Sequence, residues 1–229
     1  MKQFLKLAPW CLALVTLAVI LLAAGCGSSS TGTQLRVMNA SPDESSLNAL
    51  VDNNTVASNI AYGTSSSYVS VSSGSHTLEV EPSSSSSVLL SQSLSVSSGS
   101  NTTVLAGNFS SSINFAIYTD DNSSPSSSDI KLRIINASPS LGTADVYVVA
   151  PGTDLNTVNA TVSNLPFEGA SSYQSLAAGS WEVEFTLPGA KFPYIDSGSL
   201  SLTAGQIRTV VGLNSESGGF TAAVLADKN

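Results

Sequence analysis

Several runs of the chain alternate apolar and polar residues with a period of two. His76, Leu78 and Val80 alternate with Thr77, Glu79 and Glu81, and further along Trp181, Val183 and Phe185 alternate with Glu182, Glu184 and Thr186. Alternation of this kind describes antiparallel strands with one face in a core and the other in water. A slip of one residue would drive the glutamates into the core, so the register is well specified. Turn signals at Ser73-Gly74, Ser98-Gly99, Ala178-Gly179 and Ala204-Gly205 punctuate these runs. About seven short strands per copy at that spacing predict a β-sandwich of Ig-like size, with a barrel as the other closure.

The pattern is written twice. Leu35-Arg36-Val37-Met38-Asn39-Ala40-Ser41-Pro42-Asp43 returns as Leu132-Arg133-Ile134-Ile135-Asn136-Ala137-Ser138-Pro139-Ser140. Each copy reads as a strand running into a turn, because Pro cannot donate to a ladder and holds the residue before it extended. Beyond this opening, Tyr68 answers Tyr173, Gly74-Ser75-His76 answers Gly179-Ser180-Trp181, and Thr103–Ala106 answers Thr209–Gly212. The second copy alone carries the longer connection Ala150-Pro151-Gly152-Thr153-Asp154. A repeat of this length sets the architecture. The expected fold is all-β: two tandem antiparallel sandwiches after an N-terminal signal helix. The first repeat is expected over residues 34–120 and the second over 130–229. The polar, low-complexity segment 121–129 reads as a linker between two separately folding bodies.

The N-terminus reads as an export signal over residues 1–25. Lys2 and Lys6 precede an apolar stretch from Leu7 to Ala24, which ends Leu21-Leu22-Ala23-Ala24-Gly25-Cys26. This end resembles the lipobox of bacterial lipoproteins, although Ala23 stands at the position preferred for Leu. The resemblance implies cleavage before Cys26 and acylation of its thiol. Residues 26–33, rich in Ser and Gly, would then be a flexible tether. Gly27 after the Cys is similar to lipoproteins released to the outer membrane of Gram-negative bacteria. The expected location is therefore the bacterial cell envelope, with the membrane as a partner through the acyl chain.

Charge narrows the remaining partners. Charged residues make up only 10% of the chain, against a usual share of about 25%. Removal of the signal leaves six basic against sixteen acidic residues, a net of −10. With no basic stripe, nucleic acid is excluded as a partner. Cys11 leaves with the signal, so Cys26 is the one mature cysteine and no internal disulfide, thiol catalysis or thiolate metal site is expected.

The Asn-Ala-Ser-Pro-Asp opening, the strand Asp145-Val146-Tyr147-Val148 and the loop Ala150-Pro151-Gly152-Thr153-Asp154-Leu155 together resemble the domain of unknown function 4397 family. Asn39 and Asn136 stand where that family commonly has His, and Ser140 replaces the Asp. The resemblance covers both copies. It implies exported, often tandem, β-rich domains and brings no activity to transfer.

Candidate chemistry is sparse. His76 is the only histidine, and its register puts it on the inward face of a strand where the other copy has Trp181, so it reads as a packing residue. No Gly-x-Ser-x-Gly elbow distinguishes any serine. Asp120, Asp121, Asn122 and Asp129 carry oxygens of the kind calcium takes, but at a spacing that matches no calcium loop, so they read as solvated linker. Arg36 and Arg133 point away from Leu35/Val37 and Leu132/Ile134, and a cross-strand partner among the strand glutamates is expected. Trp181 with Tyr62, Tyr68, Tyr147, Tyr173 and Tyr194 could form a sugar platform, though most recur in both copies as core residues would. No catalytic residue, metal ligand or cofactor is assigned, and lipidation at Cys26 is the one site expected. The sequence thus points to a non-catalytic, lipid-anchored envelope protein displaying two sandwiches for structural or protein-interaction roles. The alternative is a surface lipoprotein that binds a carbohydrate or other small ligand.

Overall fold

A computed structural model describes residues 32–228. The signal segment, Cys26 and most of the tether lie outside the described residues. The first repeat forms β1 (Gln34–Ala40), β2 (Ser46–Val51), β3 (Asn54–Ala61), β4 (Val69–Ser70), β5 (Gly74–Pro82), β6 (Leu90–Val96), β7 (Asn101–Gly107) and β8 (Asn114–Asp120). The second forms β9 (Asp129–Asn136), β10 (Ala144–Val149), β11 (Val162–Leu165), β12 (Gln174–Ala177), β13 (Gly179–Thr186), β14 (Pro193–Asp196), β15 (Leu200–Leu202), β16 (Ile207–Asn214) and β17 (Phe220–Lys228).

Each repeat is a sandwich of two sheets, and the topology is the same in both. An outer sheet runs β3-β2-β5-β6 in the first repeat and β11-β10-β13-β14 in the second, where β15 also pairs with β13. An inner sheet runs β4-β1-β7-β8 and β12-β9-β16-β17. The expected antiparallel pairing holds with one exception per repeat: β1 lies parallel to β7, and β9 to β16. The strands β6 and β7 meet at Ser98-Gly99, and Gly99 takes a φ of +72° that the turn requires.

Parallel strands are usually covered on both faces, and these are. Leu35, Val37 and Val104 face the first sandwich core with Leu47, Leu78 and Val80. Ile130, Leu132, Ile134 and Val210 face the second with Val146, Val183 and Phe185. The opposite faces of the same strands make a third core: Met38, Ala40, Leu105 and Ala116 pack with Ile135, Ala137, Val211, Leu213 and Leu225. The two inner sheets therefore lie face to face, and the chain from Gly32 onward is one compact unit. The two repeats share a buried interface across these faces.

The copies differ where packing is compensated. Phe185 stands where the first repeat has Val80, and Gly212 stands where it has Ala106. A Cβ at Gly212 would lie 3.0 Å from the Phe185 ring and from Ile195 Cδ1, so the larger ring and the missing side chain go together. The longer connection of the second repeat supplies Leu155, with Val158 and Ala160, to cover Tyr147 and Val149 on the outer face.

Candidate functional site

The interface between the inner sheets holds the densest buried polar chemistry of the fold. Arg36 and Arg133, each 2% exposed, project from within β1 and β9 into it. Their partners are not the strand glutamates but aspartates of the opposite repeat. Arg36 Nη2 donates to Asp227 Oδ1, and Arg133 Nη2 donates to Asp120 Oδ1 at 2.7 Å. Strand glutamates lie on the outer sheets, whereas both arginines point the other way, which is why same-sandwich pairing fails.

The network obeys a local two-fold relation. Arg36 Nε donates to Thr103 Oγ1 at 2.8 Å, and Arg133 Nε donates to Thr209 Oγ1 at 3.1 Å. Thr103 and Tyr68 donate to Asp120 Oδ2, each at 2.6 Å, while Thr209 and Tyr173 donate to Asp227 Oδ2 at 2.7 and 2.8 Å. Each guanidinium also lies 4.8 Å from a ring centroid, Arg36 over Tyr68 and Arg133 over Tyr173, a distance at which cation–π attraction operates. Burial works against the Arg36 charge, but Asp227 first, with Tyr68 and Asp120, more than offsets it and the pKa is raised. Burial, followed by the opposed effects of the arginines and aspartates, pushes Tyr68 and Tyr173 well above the usual phenol range. Both phenols therefore stay protonated and serve as donors. Two cations balance two anions, and each aspartate accepts from an Arg, a Thr and a Tyr. A buried charge set satisfied in this way fixes geometry rather than moving protons.

The repeated Asn-Ala-Ser-Pro stretch is also consumed by the fold. Asn39 and Asn136 are fully buried. Asn39 Nδ2 donates to the carbonyls of Glu44 and Ile60, and its Oδ1 accepts from Ser41 N. Asn136 does the same with Gly142, Leu165 and Ser138. Each asparagine ties its strand end to two loops.

His76 shares its face with Leu78 and Val80 as the register requires, yet the ring is also hydrogen-bonded. Nδ1 lies 2.7 Å from Asp52 Oδ2, and Nε2 lies 2.9 Å from the Ser72 carbonyl and 3.3 Å from Ser72 Oγ. The row Ser-His-Asp resembles a nucleophile with its base. Both nitrogens, however, face acceptors, which suits the doubly protonated imidazolium, and those bonds raise the His76 pKa. A Nε2 that donates to a carbonyl has no lone pair with which to take a serine proton. The sequence missed this pairing because Asp52 sits on a tight turn at φ +50°, twenty-four residues away.

The linker carboxylates do not converge. Asp120 is in the interface, Asp121 Oδ2 accepts from Lys131 Nζ at 2.6 Å, and Asp129 accepts from Ser128 and Ser175. Among the described residues no group of three His, Cys, Asp or Glu side chains is placed to hold a metal.

The aromatics divide sharply. Tyr147 is buried, and Tyr62 and Tyr118 donate across the interface to the carbonyls of Asn214 and Glu168. Trp181 packs on the second core and donates to the Ala177 carbonyl. On the outside stand Phe109 of the first repeat, 40% exposed, and in the second repeat Phe192, 71% exposed, and Tyr194, 43% exposed, backed by the half-buried Phe220, which packs on the second core. Ring centroids are 5.8 and 5.9 Å apart, with the planes crossed at 86° and 89°. Tyr194 falls in a bulge of β14, where Phe185 pairs with Ile195 and Thr186 with Pro193, and counting back from the paired aspartates gives the buried Ile113 as the first-repeat counterpart of Phe220.

No curated protein matches the chain. Among solved structures it is similar to a family 26 carbohydrate-binding module of Amy13K from Eubacterium rectale, crystallised with maltoheptaose. Identity is 11%, coverage 86% of this chain and 98% of that one, and the TM-score 0.30. It is also similar to a family 41 carbohydrate-binding module from streptococcal virulence factors, with 11% identity, 83% and 96% coverage and a TM-score of 0.28. An α-glucan-binding streptococcal virulence factor gives 6% identity, 78% and 92% coverage and a TM-score of 0.27. Scores this low give these likenesses no weight for function. The family model described as domain of unknown function (DUF4397) matches residues 33–147, a span that takes in the whole first repeat and the opening strands of the second. The chain belongs to the DUF4397 family.

Proposed function

We propose that this is a non-catalytic, lipid-anchored protein of the bacterial cell envelope. It is tethered through Cys26 and displays its double sandwich as a structural or protein-interaction module. The observation that supports this best is the division of labour among its side chains. The recurring polar groups are spent inside the fold, whereas the second repeat exposes Phe192 and Tyr194, backed by the half-buried Phe220. Large exposed aromatics beyond what packing needs mark contact surfaces. Their crossed planes favour insertion between side chains of a protein partner over stacking of a flat sugar face.

Two measurements test the proposal. Metabolic labelling with an alkyne palmitate should mark the wild type and not Cys26→Ser; equal labelling of both would remove the anchor. The double variant Phe192→Ala/Tyr194→Ala should keep the wild-type melting temperature within about 2 °C, as exposed positions do, and lose cross-links to an envelope partner. Loss of a glycan-array signal instead would make the ligand a carbohydrate.

A further inference from the structure

We infer that the inner face of each half is a docking face for the other half regardless of which chain supplies it, so that two chains can exchange second repeats and form a swapped dimer. The polar part of the interface is self-complementary. Each half brings one Arg, one Thr, one Asp and one Tyr, and each Arg reaches the Asp of the other half. That is the reciprocal pattern of a two-fold, isologous contact between subunits, here built within one chain.

The apolar part is not symmetric, and it selects the partner. Met38, Leu105 and Tyr118 come from the first half, with Ile135, Val211 and Leu225 from the second. Leu213 fits over Gly63, whose missing Cβ would lie 3.7 Å from Leu213 Cδ1. A first half therefore prefers a second half to another first half. The described covalent connection between them is 121–128, the segment between β8 and β9. Its ties to the halves include Lys131 to Asp121 and Ser123, Lys228 to the Asn122 carbonyl and Ser124, and Ala178 N to the Ser128 carbonyl. Closed and exchanged forms would share the same interface and differ only in this segment. Pairing within the chain wins in dilute solution because the linker holds the second half at an effective concentration on the order of millimolar.

The linker length can be turned against the closed form. Asp120 at the end of β8 reaches Arg133 of β9 across the interface, and facing sheets lie about 10 Å apart. Deleting 122–128 leaves one residue between Asp120 and Asp129, a span of at most about 7.6 Å between their Cα atoms. The closed pairing becomes unreachable while the exchanged one remains open. Light scattering after size exclusion should then give twice the chain mass for the deletion variant. Adding Asp120→Asn and Asp227→Asn to it should abolish that dimer. In parallel, wild-type chains carrying two different tags, refolded together from denaturant at about millimolar concentration, should yield a dimer captured by both tags. A monomeric deletion variant overturns the inference. So does an aggregating one if the co-refolded wild type gives no doubly tagged dimer; a doubly tagged dimer alone upholds it.

Discussion

Replacing Asp120 by Asn removes one charge and almost no volume from the interface, and its effect follows from the hydrogen bonds. Asp120 Oδ1 accepts from Arg133 Nη2, while Oδ2 accepts from Thr103 and Tyr68. Asn offers one acceptor oxygen, so its amide NH2 must confront either the guanidinium or the two hydroxyls. Arg133, 2% exposed, is also left without its counter-charge. Removing one partner of a buried pair costs about 3–5 kcal/mol, which for a chain of this size lowers the melting temperature by about 6–20 °C. Asp121→Asn is the control: its side chain is 53% exposed, so the loss should stay below about 1 kcal/mol. The double replacement Asp120→Leu/Arg133→Met should recover much of the deficit, since no unpaired charge remains buried. Urea melts followed by both tryptophan fluorescence and circular dichroism measure all of this. Because Trp181 sits in the second repeat and Asp120 in the first, the fluorescence transition must move with the ellipticity transition. A cost under about 1 kcal/mol for Asp120→Asn, or a biphasic melt in which Trp181 does not respond, would refute the single-body account.

Two further changes probe the repeats separately. His76 has its pKa raised and Asp52 has its pKa lowered by their mutual hydrogen bond. The His76 contribution is complete below its unfolded value of about 6.5 and fades as pH rises through the higher folded one; the Asp52 contribution is complete above its unfolded value of about 3.9 and fades as pH falls through the lower folded one. The stability gap between wild type and His76→Phe should therefore be widest between about pH 4 and 6.5 and shrink by pH 9; a gap that grows on going alkaline contradicts the pairing. Gly212→Ala should destabilise by about 1–3 kcal/mol through overpacking against Phe185. Joining it to Phe185→Val, which restores the first repeat's pair, should recover stability in a double-mutant cycle, and simple additivity would show that the two positions are not coupled.

Most of the architecture can be read in the chain. The period-two runs around His76 and Trp181, the glycine turns and the doubled Leu-Arg-Val/Ile stretch specify strands, register and two copies of one sandwich, because each of these depends on neighbours in sequence. The face-to-face packing of the copies has a signal too: Leu35–Met38 and Leu132–Ile135 do not alternate cleanly, and Val210-Val211 follows Thr209 without a break. Such runs belong to strands buried on both sides. The arginines inside them mask the pattern, since Arg in a strand ordinarily marks its wet face.

What sequence alone determined is therefore local: strand identity, the apolar face of each outer sheet, the acidic balance and the doubling itself. Tertiary structure decided the partners. Arg36 meets Asp227 across 191 positions, and Tyr194 meets Phe220 only because β14 lies beside β17. Periodicity reports which way a side chain points relative to its own strand. It holds no information about which of many distant segments arrives on that side, because that choice rests on the summed burial of whole faces and on the rule that a buried charge must find its opposite.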